Sequence, residues 1–75
     1  MNLKTAQEKF YNKERSAELR FVINDTVKYS APKEKEIIGA VISIESTNPE
    51  RTYLVEFSDG SDKIIHEKDL SLVND

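Results

Sequence analysis

The sequence predicts a mainly β fold, in which a small five-stranded barrel follows an N-terminal α-helix. Three observations favour this fold. Residues 2–20 contain neither Gly nor Pro, apolar residues after position 21 alternate with polar ones, and an Asp-Gly pair separates two alternating runs. Five short strands in about 50 residues bury their apolar side chains only if the sheet curls on itself. We therefore expect a helix over residues 1–20 and a barrel over residues 21–75.

The N-terminal segment has the composition of a helix. It is rich in Ala, Glu, Lys, Gln and Arg, which favour the helical state. Thr5 and Glu8 have the spacing of a capping box, and Asn2 is an alternative cap. Its apolar stripe is narrow and is interrupted by charged residues. The sequence therefore leaves open whether this helix packs on the barrel or stays free for a partner.

The first three strands are predicted by their apolar patterns. The run TVKY alternates, whereas the run IIGAVISI is apolar and β-branched almost throughout, which is typical of a strand buried on much of both faces. In TYLVEF, one face carries Tyr53, Val55 and Phe57, and these residues are assigned to the core. Gly39 interrupts the second run and indicates a bulge or a close approach of another backbone.

The last two strands follow a tight turn. Asp59-Gly60 is the strongest hairpin signal in the chain, because Gly accepts the positive φ that such turns need. The run DKIIHE forms the fourth strand, but its pattern does not decide whether Ile64 or Ile65 faces the core. The run HEKDLS predicts a single helical turn before a short fifth strand over residues 71–73.

Charge is distributed unevenly along the chain. Residues 1–20 hold five basic and three acidic residues (+2), and residues 21–75 hold six basic and eleven acidic residues (−5). Nucleic-acid binding depends on Lys and Arg neutralising phosphates, so the acidic barrel is poorly suited to it. Disulfides and thiolate metal sites are excluded because there is no cysteine. No apolar run approaches the roughly 20 residues that span a membrane, and we expect a cytoplasmic protein.

A series of turn and core residues gives a further signal: Asp25, Val27, Tyr29, Gly39, Val41, Ile44, Tyr53, Val55, Phe57, Asp59, Gly60, Ile65, Asp69 and Leu70. In this order they resemble the SH3-like barrel superfamily, and they are similar to Tudor and KOW-like barrels of small bacterial domains. The resemblance implies a five-stranded barrel that binds other molecules on its surface. An aromatic cage of the Tudor type is not expected, since the available aromatic residues are assigned to the core.

We predict no catalytic, metal or cofactor site. His66 is the only histidine, and the adjacent Glu67 would point to the opposite face of the strand, so His66 is interpreted as an exposed edge residue. The segment DGSD resembles a fragment of a calcium loop but lacks the twelve-residue ligand spacing. With two glycines, the chain has no phosphate-binding loop.

Seven residues are candidates for contact with a partner. They lie on the outward face of the predicted hairpin, in the charged loop after the first strand, and on the helix, where one of two aromatic residues would face away from the barrel. They are Leu54, Glu56 and His66 on the hairpin, Lys33 and Lys35 in the loop, and Phe10 and Tyr11 on the helix.

These features predict a non-catalytic protein-interaction module. It would be a small accessory subunit or a regulator, encoded on a mobile element in one version of the hypothesis, that binds a larger protein complex. An acidic barrel favours a protein partner with a basic surface. The alternative is weak nucleic-acid binding through the basic N-terminal helix and adjacent loop. We expect the chain to be a monomer or a weak homodimer.

Overall fold

The mainly β prediction is confirmed. The computed structural model describes residues 2–30 and 36–73, which form one α-helix, five antiparallel strands and one 3-10 turn. The bounds are α1, Leu3–Tyr11; β1, Thr26–Tyr29; β2, Ile37–Ser46; β3, Thr52–Phe57; β4, Asp62–His66; the 3-10 turn, Glu67–Asp69; and β5, Leu70–Leu72. The predicted helical turn before the last strand is present, and β5 begins one residue earlier than expected.

The five strands form one sheet in the order β4-β3-β2-β1-β5. Every neighbouring pair is antiparallel, and β4 and β5 are the two end strands. No ladder joins β4 to β5 within the described residues, so the sheet does not close into the expected barrel. The pairing of β2 with β3 shifts register between Val41 and Ser43, and again between Ile44 and Ser46. Such irregularities bend a strand and increase its twist, which curves the sheet around its core.

The close backbone approach expected at Gly39 is present. This residue lies in the middle of the sheet, paired with Val27 on β1 and Phe57 on β3. A Cβ atom at Gly39 would lie 2.7 Å from the carbonyl oxygen of Glu56 and 2.7 Å from Cγ1 of Val55. Real Cβ atoms essentially never come this close to other heavy atoms. The position therefore requires glycine.

The helix ends at Tyr11, nine residues earlier than the sequence predicts. The amide of Glu14 donates to the carbonyl of Lys9 (2.9 Å), and the amide of Lys13 donates to the carbonyl of Phe10 (3.2 Å). Together with the positive φ of Lys13 (58°), these bonds form a Schellman motif, which satisfies the last helical carbonyls. Glycine is the usual residue at that position, so a lysine there did not indicate the end of the helix.

Replacing Lys13 with glycine should stabilise the protein. A left-handed φ crowds the Cβ of Lys13 against the backbone, whereas glycine adopts that φ without this penalty. We expect the free energy of unfolding, measured by urea denaturation, to rise by about 0.5–1 kcal/mol. Substitution of the neighbouring Asn12 by glycine is the matched control and should not stabilise, because its φ of −88° is ordinary. A loss of stability in Lys13→Gly would contradict this description of the helix end.

At its N-terminus the helix is capped by Asn2, the alternative cap. The Oδ1 atom of Asn2 accepts from the backbone amide of Thr5 at 2.8 Å, which satisfies one of the free amides of the first turn. Thr5 and Glu8 do not form the capping box expected from their spacing, since Thr5 already lies inside α1.

The helix packs on its own sheet and shares one hydrophobic core with it. Ala6 and Phe10 of α1 are fully buried. The Phe10 ring lies 6.2 Å from that of Tyr53, and the Phe21 ring meets Tyr53 edge-on at 5.4 Å. The other core residues come from all five strands and from the segment before β1: Leu19, Val22, Val27, Val41, Ile44, Val55, Phe57, Ile65 and Leu70.

Candidate protein-binding surface

The side of the β2–β3–β4 sheet that faces away from α1 is the candidate surface. Val55 and Tyr53 of β3 point into the core, so the alternating residues of β3 and their cross-strand neighbours point outward. Register places Leu54 opposite Ile64, Glu56 opposite Asp62, and Thr52 opposite His66. We call this the outer surface and define it by Ile38, Ala40, Leu54, Glu56, Asp62, Ile64 and His66. It contains all three hairpin residues that the sequence predicts to contact a partner.

The centre of the outer surface is apolar. Ile64 is 60% exposed and Ile38 is 52% exposed, whereas Leu54 is half-buried beside Ile64. The question left open by the sequence is answered by register: Ile65 pairs with Tyr53 and is buried, and Ile64 faces solvent. Two consecutive isoleucines give no periodicity, so only the pairing with β3 could settle which one points inward.

An acidic pair borders this apolar centre. Glu56 and Asp62 lie directly opposite each other on β3 and β4, and both are exposed. Neither carboxylate has an ion pair or side-chain hydrogen bond to another group in residues 2–30 and 36–73. Like charges directly opposite on a sheet repel and lower the stability of the pairing. The hairpin therefore carries an unfavourable charge pair at its surface.

At the C-terminal end of β4, side-chain contacts link this strand to the connection between β2 and β3. Nδ1 of His66 lies 2.5 Å from Oε2 of Glu50, and Nζ of Lys68 lies 3.9 Å from the second oxygen of Glu50. All three side chains are substantially exposed, so these contacts contribute little stability. The structure confirms that Glu67, next in sequence, is not the partner of His66.

Glu67 instead belongs to a buried polar network. Its carboxylate accepts two hydrogen bonds from the guanidinium of Arg51, both at 3.0 Å, and one from the hydroxyl of Tyr53 at 2.6 Å. Glu67 is 8% exposed. Burial raises the pKa of Glu67, but the hydrogen bonds from Arg51 and Tyr53 outweigh burial and hold that pKa below its ordinary value. Burial and the bond to Glu67 together raise the pKa of Tyr53.

An open cavity of about 260 Å³ lies between these two sets of contacts. Its ionic groups already bond one another, in the Glu50–His66 contact and the Arg51–Glu67 pair. No buried side-chain polar atom of the described residues lacks a hydrogen-bond partner. The Glu50–His66 and Arg51–Glu67 contacts therefore link the β2–β3 connection to the end of β4. The cavity is lined by Thr47, Pro49, Glu50, Arg51, His66, Glu67 and Lys68.

The remaining nominated residues lie elsewhere. Phe10 is buried in the core, so it offers no surface to a partner, whereas Tyr11 is 52% exposed. Tyr11 lies on α1, which covers the opposite side of the sheet from the outer surface. The loop residues Lys33 and Lys35 lie outside the described residues.

No group of three or more Asp, Glu or His side chains in residues 2–30 and 36–73 is placed to hold a metal ion. In the same residues, no helix has both the length and the apolar character needed to cross a membrane.

Comparison with known proteins gives no family assignment. The chain matches no protein-family model, no curated protein and no solved structure.

Proposed function

We propose that this protein is a non-catalytic protein-interaction module, a small accessory subunit or regulator that binds a larger protein complex through its outer surface. The observation that supports the proposal is the unneutralised Glu56–Asp62 pair beside the exposed Ile64 and its half-buried neighbour Leu54. The partner would present a Lys or Arg side chain to the carboxylates and an aliphatic or aromatic side chain to the leucine and isoleucine. A basic partner surface of this kind agrees with the net charge of −5 over residues 21–75 (six basic, eleven acidic).

The free and bound states would differ in the charge and the apolar contacts around the acidic pair. In the free protein the two carboxylates repel each other, and the two apolar side chains lose contact with water only in part. A cationic side chain placed between the carboxylates turns repulsion into attraction, and burial of Ile64 adds favourable apolar transfer. The same residues that weaken the free hairpin would therefore strengthen the complex.

We also assign the fold to the SH3-like arrangement and the protein to the cytoplasm. The strand order β4-β3-β2-β1-β5, with a 3-10 turn between β4 and β5, supports the first assignment. The lack of cysteine supports the second. A regulator encoded on a mobile element is one form that such a module would take.

Reversing one charge of the acidic pair should raise the stability of the protein and abolish binding of its partner. In Glu56→Lys, repulsion with Asp62 becomes attraction, so we expect the free energy of unfolding to rise by about 0.5 kcal/mol. The same variant should lose its protein partner, because its outer surface would then repel a basic one. Thermal unfolding measures the first effect. Affinity capture from a lysate of the source cells, followed by quantitative mass spectrometry, measures the second.

Glu8→Lys is the matched control. It makes the same charge change on an exposed position of α1, on the other side of the molecule, and should leave capture unchanged. The proposal fails if wild-type protein captures no reproducible partner, or if Glu56→Lys captures the same proteins as wild type. Weak nucleic-acid binding through the N-terminal segment, the alternative, would instead show as capture that nuclease abolishes and as a gel shift lost with added salt.

A further inference from the structure

β4 is an end strand of the sheet. Within residues 2–30 and 36–73, no strand pairs with the side of β4 that faces away from β3. Asp62, Lys63, Ile64 and His66 are exposed along it. An unpaired strand edge is a template for pairing with another strand.

The backbone groups that face this free edge can be identified. The amide of Phe57 donates to the carbonyl of Ser61 (2.8 Å), and the amide of Glu67 donates to the carbonyl of Arg51 (2.9 Å). In an antiparallel ladder, hydrogen-bonded pairs recur at every second residue. The odd-numbered residues of β4 therefore bond to β3, and the N–H and C=O groups of Asp62 and Ile64 point to the free edge, as does the N–H of His66. The carbonyl of His66, the N-cap of the 3-10 turn, accepts the first hydrogen bond of that turn instead.

We propose that this edge pairs with β4 of a second copy of the chain, antiparallel and centred on Ile64. The register follows from the free groups: Ile64 faces Ile64 of the second copy, and Asp62 faces His66 of the second copy. The Ile64 pair exchanges both of its N–H···O bonds. Each Asp62–His66 pair makes one, from the amide of His66 to the carbonyl of Asp62, because the carbonyl of His66 is bonded within the 3-10 turn. Because Asp62 and His66 lie at equal distances along the chain from Ile64, the edge is self-complementary under a two-fold axis.

The side chains agree with this register on the outer face. The two exposed isoleucines meet at the axis and continue the Leu54–Ile64 pair into one apolar strip across both copies. Asp62, which has no ion pair within the described residues, lies opposite an imidazole whose Nδ1 contacts Glu50. On the inner face, Lys63 lies beside Ile65 of the second copy, with its ammonium group extended into water.

The interface is small, so the dimer is weak. Three pairs of residues and one apolar strip give a dissociation constant on the order of 0.1–1 mM. Self-association needs no other protein, so it goes beyond the proposed function and is measured on the pure chain.

The test uses the position on the two-fold axis, which faces itself. Sedimentation equilibrium of the wild-type chain should show an apparent mass that rises from 8.6 kDa towards twice that value with concentration. Ile64→Glu and Ile64→Lys should each remain monomeric, because each places two like charges at the axis. An equimolar mixture of these two variants should regain the dimer, since Glu then faces Lys.

A failure to fold can be distinguished from a loss of the dimer. Ile64 is 60% exposed, so both variants should fold, which circular dichroism checks. Ile64→Pro is a further variant that removes the central edge amide without removing a bond to β3, and it should also be monomeric. The proposal is overturned if wild type stays monomeric up to about 1 mM, if the single variants dimerise like wild type, or if the mixture stays monomeric.

Discussion

Replacing Gly39 with alanine should destabilise the protein by about 3 kcal/mol, the largest effect that we expect from a single added methyl group. The new Cβ would lie 2.7 Å from the carbonyl oxygen of Glu56, which is backbone in the middle of the sheet. A clash with a flexible side chain is relieved by rotation, but this one requires β2 and β3 to move apart. A domain of this size has on the order of 5 kcal/mol of stability, so the variant should unfold at a much lower urea concentration.

Gly60→Ala is the control for this prediction. Gly60 has a φ of 89° and open space around its Cβ position, so alanine there meets backbone strain but no clash. We expect a loss of about 1 kcal/mol. If Gly39→Ala were as stable as Gly60→Ala, the tight packing of β2 against β3 would be wrong.

Arg51→Met should destabilise the protein by about 2 kcal/mol at neutral pH. Methionine keeps an aliphatic stem but removes both donors to Glu67, and the buried carboxylate then keeps only the Tyr53 hydroxyl as a side-chain donor. Arg15→Met is the matched control. Its partner Asp25 is bonded at 2.5 Å, but the Arg15 side chain is 47% exposed, so we expect a loss below about 1 kcal/mol. Equal losses in the two variants would contradict a structural role for the buried network.

The same network predicts how stability depends on pH. The folded protein holds the pKa of Glu67 below its ordinary value of 4.5, so its contribution is present above that pH and is lost as the pH falls through the lower folded value. The pKa of Tyr53 is raised above 10, so its contribution is present below pH 10 and is lost as the pH rises further. Urea denaturation across this range should show a loss of stability at both ends.

Arg51→Met should change the pH dependence of stability specifically on the acidic side. Without the guanidinium, burial acts on Glu67 with less opposition, so protonation relieves an unfavourable buried charge in the variant. We therefore expect the stability gap between wild type and Arg51→Met to shrink as the pH falls below 4.5, the ordinary pKa of Glu67. A gap that stays constant down to the acid transition would show that Arg51 stabilises by packing alone.

Local sequence patterns were sufficient to predict the core side of β3, the β3–β4 turn and the close backbone approach at Gly39. The alternation in TYLVEF assigned Tyr53, Val55 and Phe57 to the core, where they are buried. Asp59-Gly60 predicted the β3–β4 turn, and Gly60 has the required positive φ. Gly39 predicted a close backbone approach, which is present.

Contacts between distant residues could not be predicted in the same way. Glu50 meets His66, and Arg51 meets Glu67, only because the register of β3 with β4 brings them together across 16 residues in each case. The end of the helix was missed because Lys13 takes a position where glycine is the usual signal. Three of the seven residues of the outer surface were therefore predicted from the sequence: Leu54, Glu56 and His66. The other four required the strand register: Ile38, Ala40, Asp62 and Ile64.

If the outer surface binds a protein partner, a nuclear magnetic resonance titration will locate that binding on the structure. The ¹⁵N-labelled chain would be titrated with the purified protein that it captures, and shifted amides would be mapped onto the structure. We predict that the largest shifts fall on residues 38–40, 54–56 and 62–66. Shifts confined to α1 around Tyr11, with the outer surface unchanged, would contradict the account.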